Sequence, residues 1–149
     1  MMSPRAVLLI ATAGWLGLAG AASAADCSVD IEVGDALTYS VTQITPDASC
    51  ETVTINLKHT GQLPAAVMGH NWVLSKPGDF DAITAAAPAA GPAKHYVPDD
   101  EKVIASTTLV GGGESTSIEV PMKGLSGEYV YFCSFPGHWA AMKGTLTIG

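Results

Sequence analysis

The chain has 149 residues, of which 7 are Lys or Arg and 14 are Asp or Glu, for a formal net charge of −7. An acidic balance with no basic run offers nothing to a phosphate backbone, which excludes nucleic acid as a partner. The length allows one ordinary domain, large enough to bury a real core.

The chain opens on a targeting segment. Arg5 supplies a short positive region, residues 6–18 are almost entirely apolar, and Ala22-Ser23-Ala24 fits the small-x-small pattern of a secretory cleavage site. The apolar run falls short of the ~20 residues a spanning helix needs, so cleavage after Ala24 is expected and a membrane anchor is not. Asp26 directly before Cys27 spoils a lipoprotein context. The expected organisation is a cleaved signal over residues 1–24 and one domain over 25–149, with a formal charge of about −8 once Arg5 is gone.

Short strands follow in chain order, separated by turn residues. Residues 28–33 alternate Val29, Ile31 and Val33 with polar neighbours, and 38–44 put Tyr39 and Val41 on one face. Residues 52–58 alternate Val53, Ile55 and Leu57 with Thr, Asn and Lys. Residues 71–74 are short and apolar, and 103–109 are a weaker candidate. Residues 116–120 and 128–133 flank a turn-rich stretch, and 144–148 close the chain. Alternation of this kind marks half-buried strands with one face on a core. The exception is 77–98, where Ala-rich residues 81–87 have high helix propensity, while Pro88 and Gly91-Pro92 limit how far a helix runs. An excursion with a short helix inside is expected there, on an all-β sandwich with Greek-key connections.

Three cysteines are an odd number for an exported chain, so two should pair and one needs a reason. A bridge between Cys27 and Cys50 would contribute about 3 kcal/mol in the loop-entropy account and leave Cys133 over. Cys133 can be a buried inert thiol, an intermolecular bridge or a metal ligand. A thiol left bare in an oxidising compartment is a hazard, and a metal both protects and uses it.

The neighbours of Cys133 favour the metal. His138 and Met142 follow at gaps of four and three, and Gly69-His70-Asn71 can bring a second imidazole from far upstream. Two imidazoles, a thiolate and a weak thioether are the ligands of a blue-copper electron-transfer site, because Cu(I) prefers soft sulfur while Cu(II) accepts nitrogen-rich geometry. Zinc competes poorly, since methionine is not among its usual ligands. Gly69, lacking a Cβ, lets its carbonyl approach the opposite axial position. A lone Met is usually core filler and a lone His usually a surface group; here the joint pattern argues against both.

These residues carry a family resemblance. Val67-Met68-Gly69-His70-Asn71-Trp72-Val73-Leu74-Ser75 resembles the first ligand segment of the azurins, periplasmic members of the cupredoxin family. Cys133 to Leu146 resembles their ligand loop and final strand, and Ala25-Asp26-Cys27-Ser28-Val29-Asp30-Ile31 their mature N-terminus. Plastocyanin-like relatives have fewer residues between the loop Cys and His. The resemblance spans essentially the whole mature chain. It implies a cupredoxin-like sandwich with a helical flap at 77–98. It also implies one copper, cycling between Cu(I) and Cu(II), held by Gly69 through its carbonyl, His70, Cys133, His138 and Met142. Cys27 and Cys50 match the disulfide pair, Trp72 the deeply buried tryptophan, and Asn71 and the backbone of Phe135 the groups that hydrogen-bond near the thiolate.

A one-electron carrier, and not an enzyme, is the function this implies. The docking patch around the His138 edge would comprise Leu37, Leu63, Met68, Phe80, Phe135, Pro136 and Ala140, used by a monomer to meet redox proteins such as c-type cytochromes or periplasmic reductases and dehydrogenases. Copper nitrite reductases and multicopper oxidases need further copper sites, usually fed by histidines flanking the copper-bound cysteine. Here Phe132 and Ser134 flank Cys133, and four histidines cannot build a second centre. A copper carrier would need a Met-rich or open site, and two of the five methionines are Met1 and Met2. Two departures stand out. Trp139 replaces the small polar residue common in azurins and is expected to enlarge the patch. His59, matching a buried non-ligating histidine linked to a pH-dependent backbone change in some azurins, is followed by Thr60 where proline is frequent. His95 reads as a solvated flap histidine without a partner.

Overall fold

The computed structural model describes residues 27–149, so the signal segment and its cleavage site lie outside the described residues. Eight strands form: β1 Ser28–Val33, β2 Gln43–Ile44, β3 Thr52–His59, β4 Val73–Ser75, β5 Ala105–Ser106, β6 Ser115–Pro121, β7 Gly127–Phe132 and β8 Lys143–Ile148. They assemble into a three-stranded sheet in the order β1-β3-β6 and a five-stranded sheet in the order β2-β8-β7-β4-β5. β1 runs parallel to β3, with Ser28 opposite Thr54 and Val33 opposite His59. β3 and β6 pair antiparallel although β4 and β5 lie between them in sequence, in the other sheet. This is the crossing expected of a Greek-key sandwich.

Two-residue alternation sends each strand's side chains to opposite faces, and here both faces of the five-stranded sheet are used. Ile31, Val33, Val53, Ile55 and Leu57 from one sheet meet Trp72, Leu74, Tyr131 and Leu146 from the other in the main core. Each such side chain, fully withdrawn from water, contributes about 1.5–3 kcal/mol. Their alternates Val73 and Phe132 face outward, where Ile83 covers them in a second, smaller core.

Ile83 belongs to the flap. Helix α2 spans Phe80–Ala90 and buries Ile83, Thr84 and Ala87, one face of the helix. The helix runs through Pro88, which the sequence reading took as a limit. Pro88 stands in the last turn, where it has no N–H to donate back along the helix. Gly91, at φ 73°, then supplies the left-handed turn that stops it. Two other expectations shrink. Of 38–44 only Gln43–Ile44 pairs as a strand, because Ser40 folds back so that its N–H donates to the Glu32 carbonyl (2.9 Å) and its Oγ accepts from the Glu32 N–H (2.8 Å). Of 103–109 only Ala105–Ser106 pairs regularly. A one-turn helix α1, Ala65–Met68, was not foreseen.

Cys27 and Cys50 are bridged, with Cα atoms 5.6 Å apart, tying the start of β1 to the turn before β3. Replacing both by serine is expected to lower stability by about 3 kcal/mol, read as the midpoint shift in denaturant. A loss below about 1 kcal/mol would mean that β1–β3 pairing already restrains the ends. Among the described residues no helix is long and apolar enough to cross a membrane.

Candidate metal centre

The site is assembled at one end of the sandwich from two segments. His70 follows α1 and sits in an isolated antiparallel bridge with Val110, closed by backbone bonds of 3.0 and 2.8 Å. Its Nε2–H donates to the Gly34 carbonyl at 2.7 Å, which leaves Nδ1 as the lone-pair nitrogen. Gly69 must be glycine for reasons of space: a Cβ there would lie 2.4 Å from the Ala65 carbonyl oxygen and 2.7 Å from the Leu109 side chain.

The second segment is the loop between β7 and β8. It closes at its root through the Cys133 N–H, which donates to the Met142 carbonyl at 3.1 Å. Gly137 takes a φ of 83°, a conformation that favours glycine, and launches a 3₁₀ turn over His138–Ala140. The N–H groups of Ala141 and Met142 both donate to the His138 carbonyl, at 3.1 and 2.9 Å. The loop is therefore hydrogen-bonded within itself through its backbone.

These two segments bring three donor atoms together. Cys133 Sγ lies 3.8 Å from His70 Nδ1 and 3.7 Å from His138 Nδ1, and all three atoms fall within 4.8 Å of one another. Metal–imidazole and metal–thiolate bonds of roughly 2.0 and 2.3 Å, opened to a trigonal angle, span a chord of about 3.7 Å. The donors are thus spaced for one first-row ion, and their softness and number select copper. The Gly69 carbonyl oxygen stands 3.9 Å from Sγ. Met142 is fully buried and packs in the main core with Cys133.

Burial sets the protonation preferences of the donor side chains. It pushes the Cys133 thiol up to about 11, against backbone N–H groups of Asn71 and Phe135 that favour the thiolate. It also pulls His70 down to about 4 and lowers His138, so both imidazoles are neutral ligands near pH 7.

Asn71 braces the two segments. Its Nδ2–H₂ donates to Ser134 Oγ and to the His95 carbonyl, each at 2.8 Å, and its Oδ1 accepts the Ser134 N–H at 2.8 Å. Its carbonyl takes the Tyr39 hydroxyl at 2.5 Å. His95, expected to be partnerless in solvent, is instead half-buried and engaged through its backbone. Gly34, Ser134 and Tyr39 were all missed. Backbone acceptors carry no side-chain signal; only the nearness of Ser134 to Cys133 could have flagged one of them.

His59 is fully buried and stacks on His70, with ring centroids 5.1 Å apart. The Gly61 N–H donates to its Nδ1 at 3.1 Å, so Nε2 carries the proton and donates to the Met68 carbonyl at 3.0 Å. Trp72 is also fully buried, and its Nε1–H has no hydrogen-bond partner among the described residues.

The expected patch residues divide. Leu63 is 38 % exposed, and Pro136 and Ala140 are exposed as well. Leu37, Met68 and Phe135 are half-buried. Val67, which the sequence reading omitted, is 57 % exposed on α1. Phe80 is half-buried too, and packs against the second core edge-on to Phe132 at 4.9 Å. Trp139 is half-buried: part of its side chain packs against that same core and part stays open to solvent beside Ala140.

Asp35 shapes this end of the molecule. Its carboxylate accepts the N–H groups of Gln62 and Leu63 at 2.9 and 3.1 Å, which hold it below the usual carboxylate range. A depressed folded pKa gives stability that is present above the unfolded value and lost as pH falls through the folded one. The denaturation midpoint is therefore expected to drop as pH is lowered below about 4. Asp35→Asn should flatten that drop, and an unaltered profile would remove Asp35 from the account.

A mononuclear copper site with one thiolate and two imidazoles, held on a Greek-key sandwich, defines the class as a cupredoxin: an electron-transfer protein and not an enzyme. Residues 25–149 match the model for copper binding proteins of the plastocyanin/azurin family. The chain is 49% identical over 128 residues to azurin from Pseudomonas aeruginosa, covering 84% of this chain and 86% of that one. It is 48% identical over 127 residues to azurin from Pseudomonas denitrificans, at 83% and 99% coverage. Among solved structures, an azurin (Az-iso2) from Methylomonas sp. strain J superposes with a TM-score of 0.80 at 42% identity, covering 84% of this chain and 99% of that one. The chain belongs to the plastocyanin/azurin family of copper-binding proteins.

Proposed function

We propose that this protein carries single electrons between periplasmic redox proteins, c-type cytochromes and periplasmic reductases or dehydrogenases among them, and that these partners dock over the edge of His138. The observation that carries the reading is the preset triad of Cys133 Sγ and the two imidazole Nδ1 atoms at 3.7–3.8 Å, with His138 alone reaching the surface at 7 % exposure. Copper supplies the electron store, alternating between Cu(I) and Cu(II). The chain's own residues do the rest. Gly34 and the Gly69 region orient the imidazoles, and the N–H groups of Asn71 and Phe135 draw charge from the thiolate, which favours the reduced state. Met142 and the Gly69 carbonyl would serve as weak axial ligands. A scaffold bonded to itself holds the ligands in one arrangement in both oxidation states, so little of the barrier to transfer is reorganisation.

The apolar groups Leu63, Val67, Pro136 and Ala140 stand exposed on the stretch that leads into His70 and on the ligand loop itself. That clustering supports a docking role, served by a monomer. The family match beginning at residue 25 supports export with cleavage after Ala24. Leu63→Glu tests the reading. It should leave the visible spectrum unchanged and slow both self-exchange and reaction with a cytochrome by about tenfold or more, since a charge buried in an apolar contact is costly. Unchanged rates would refute docking there.

A further inference from the structure

The turn that bears His138 also bears Trp139, and successive residues of a 3₁₀ turn point about 120° apart. His138 faces the metal donors and Ala140 is exposed, while Trp139 packs against the core of Val73, Ile83 and Phe132. Ile83 of that core lies on the flap helix α2, so the indole rests on a cluster shared by the five-stranded sheet and the flap. A second connection reaches the same histidine from its other side. Tyr96 of the flap meets Phe135 edge-on at 5.1 Å, and Phe135 lies against the His138 ring at 4.3 Å. The backbone at Tyr96 and its neighbour His95 is held at φ 57° and 54°, uncommon for residues with a Cβ, and the His95 carbonyl is clasped by Asn71.

From this arrangement we infer that Trp139 is a positioning residue: it transmits the order of the flap helix to the turn that carries His138, fixing that imidazole in one geometry. A small residue at this position would leave the turn with its own hydrogen bonds and the contacts of the His138 ring with Phe135, His70 and the Gly69 backbone. The inference rests on His138 being the least buried ligand of the proposed carrier.

The test is residue-resolved amide exchange on the full mature chain loaded with Cu(I), together with the copper hyperfine lines of the oxidised form. In Trp139→Ser, exchange at the Ala141 and Met142 amides, which donate to the His138 carbonyl, should accelerate about tenfold, with Leu57 on β3 unaltered. The hyperfine lines should broaden as His138 samples several geometries. Trp139→Phe should restore both, because it keeps an aromatic filler. Ile83→Ala should also accelerate Ala141 and Met142 exchange in the native background and add nothing in Trp139→Ser, since one linkage is being cut twice. Unaltered exchange at those two amides, equal acceleration at Leu57, or additive effects of the two substitutions would overturn the inference. Absence of the intense blue band from the unsubstituted protein would instead refute the carrier reading itself.

Discussion

Replacing Cys133 by serine is expected to bleach an intensely blue protein. The colour of the oxidised, copper-loaded form comes from charge transfer out of the thiolate, and its narrow copper hyperfine splitting from spin shared with sulfur. A serine hydroxyl offers neither, and it is far harder to ionise in a pocket that already raises the thiol to about 11. Losing groups that merely hydrogen-bond to ligands costs about 10–100-fold in metal affinity, so removing the one anionic ligand should exceed that range. Visible spectroscopy and a competition titration read the two effects. A blue band surviving in Cys133→Ser would place the copper elsewhere.

The second large effect is expected at Asn71. Asn71→Leu keeps the side-chain volume but strands the Ser134 N–H, Ser134 Oγ and the His95 carbonyl, all now satisfied by one amide. Stranding even one buried donor costs about 1–3 kcal/mol, so a total near 3 kcal/mol is expected from chemical denaturation. Ser134→Ala, which removes only the Oγ contact, should cost about 1 kcal/mol. Equal losses from the two would show that Asn71 bonds one partner and does not brace the two ligand segments.

The parts of this molecule legible in its sequence are those where side chains alternate against a broad core. β1, β3, β6, β7 and β8 lie within a residue or so of where Val, Ile and Leu alternate with polar residues. β2 and β5 were overdrawn because burial and strand pairing are separable. Tyr39 is buried, yet its neighbour Ser40 folds back to hydrogen-bond Glu32 and its own hydroxyl goes to Asn71. Helix α1 has four residues, too few to show a period. At the metal centre, chemistry showed through because thiol, imidazole and thioether are scarce groups whose coincidence means something. The frame around them is built mostly of backbone: Gly34, Gly69, His95 and the N–H groups of Asn71 and Phe135 act through atoms common to nearly every residue.

One small closure has a wider consequence. The Cys133 N–H bond to the Met142 carbonyl pins the two ends of the ligand loop where they leave β7 and β8. Length or composition can change between those ends while the pairing of Phe132 with Lys143 beyond them is undisturbed. The sandwich therefore treats the loop as an interchangeable part. Variation can act through these few residues while the pairing of β7 with β8 is settled beyond them.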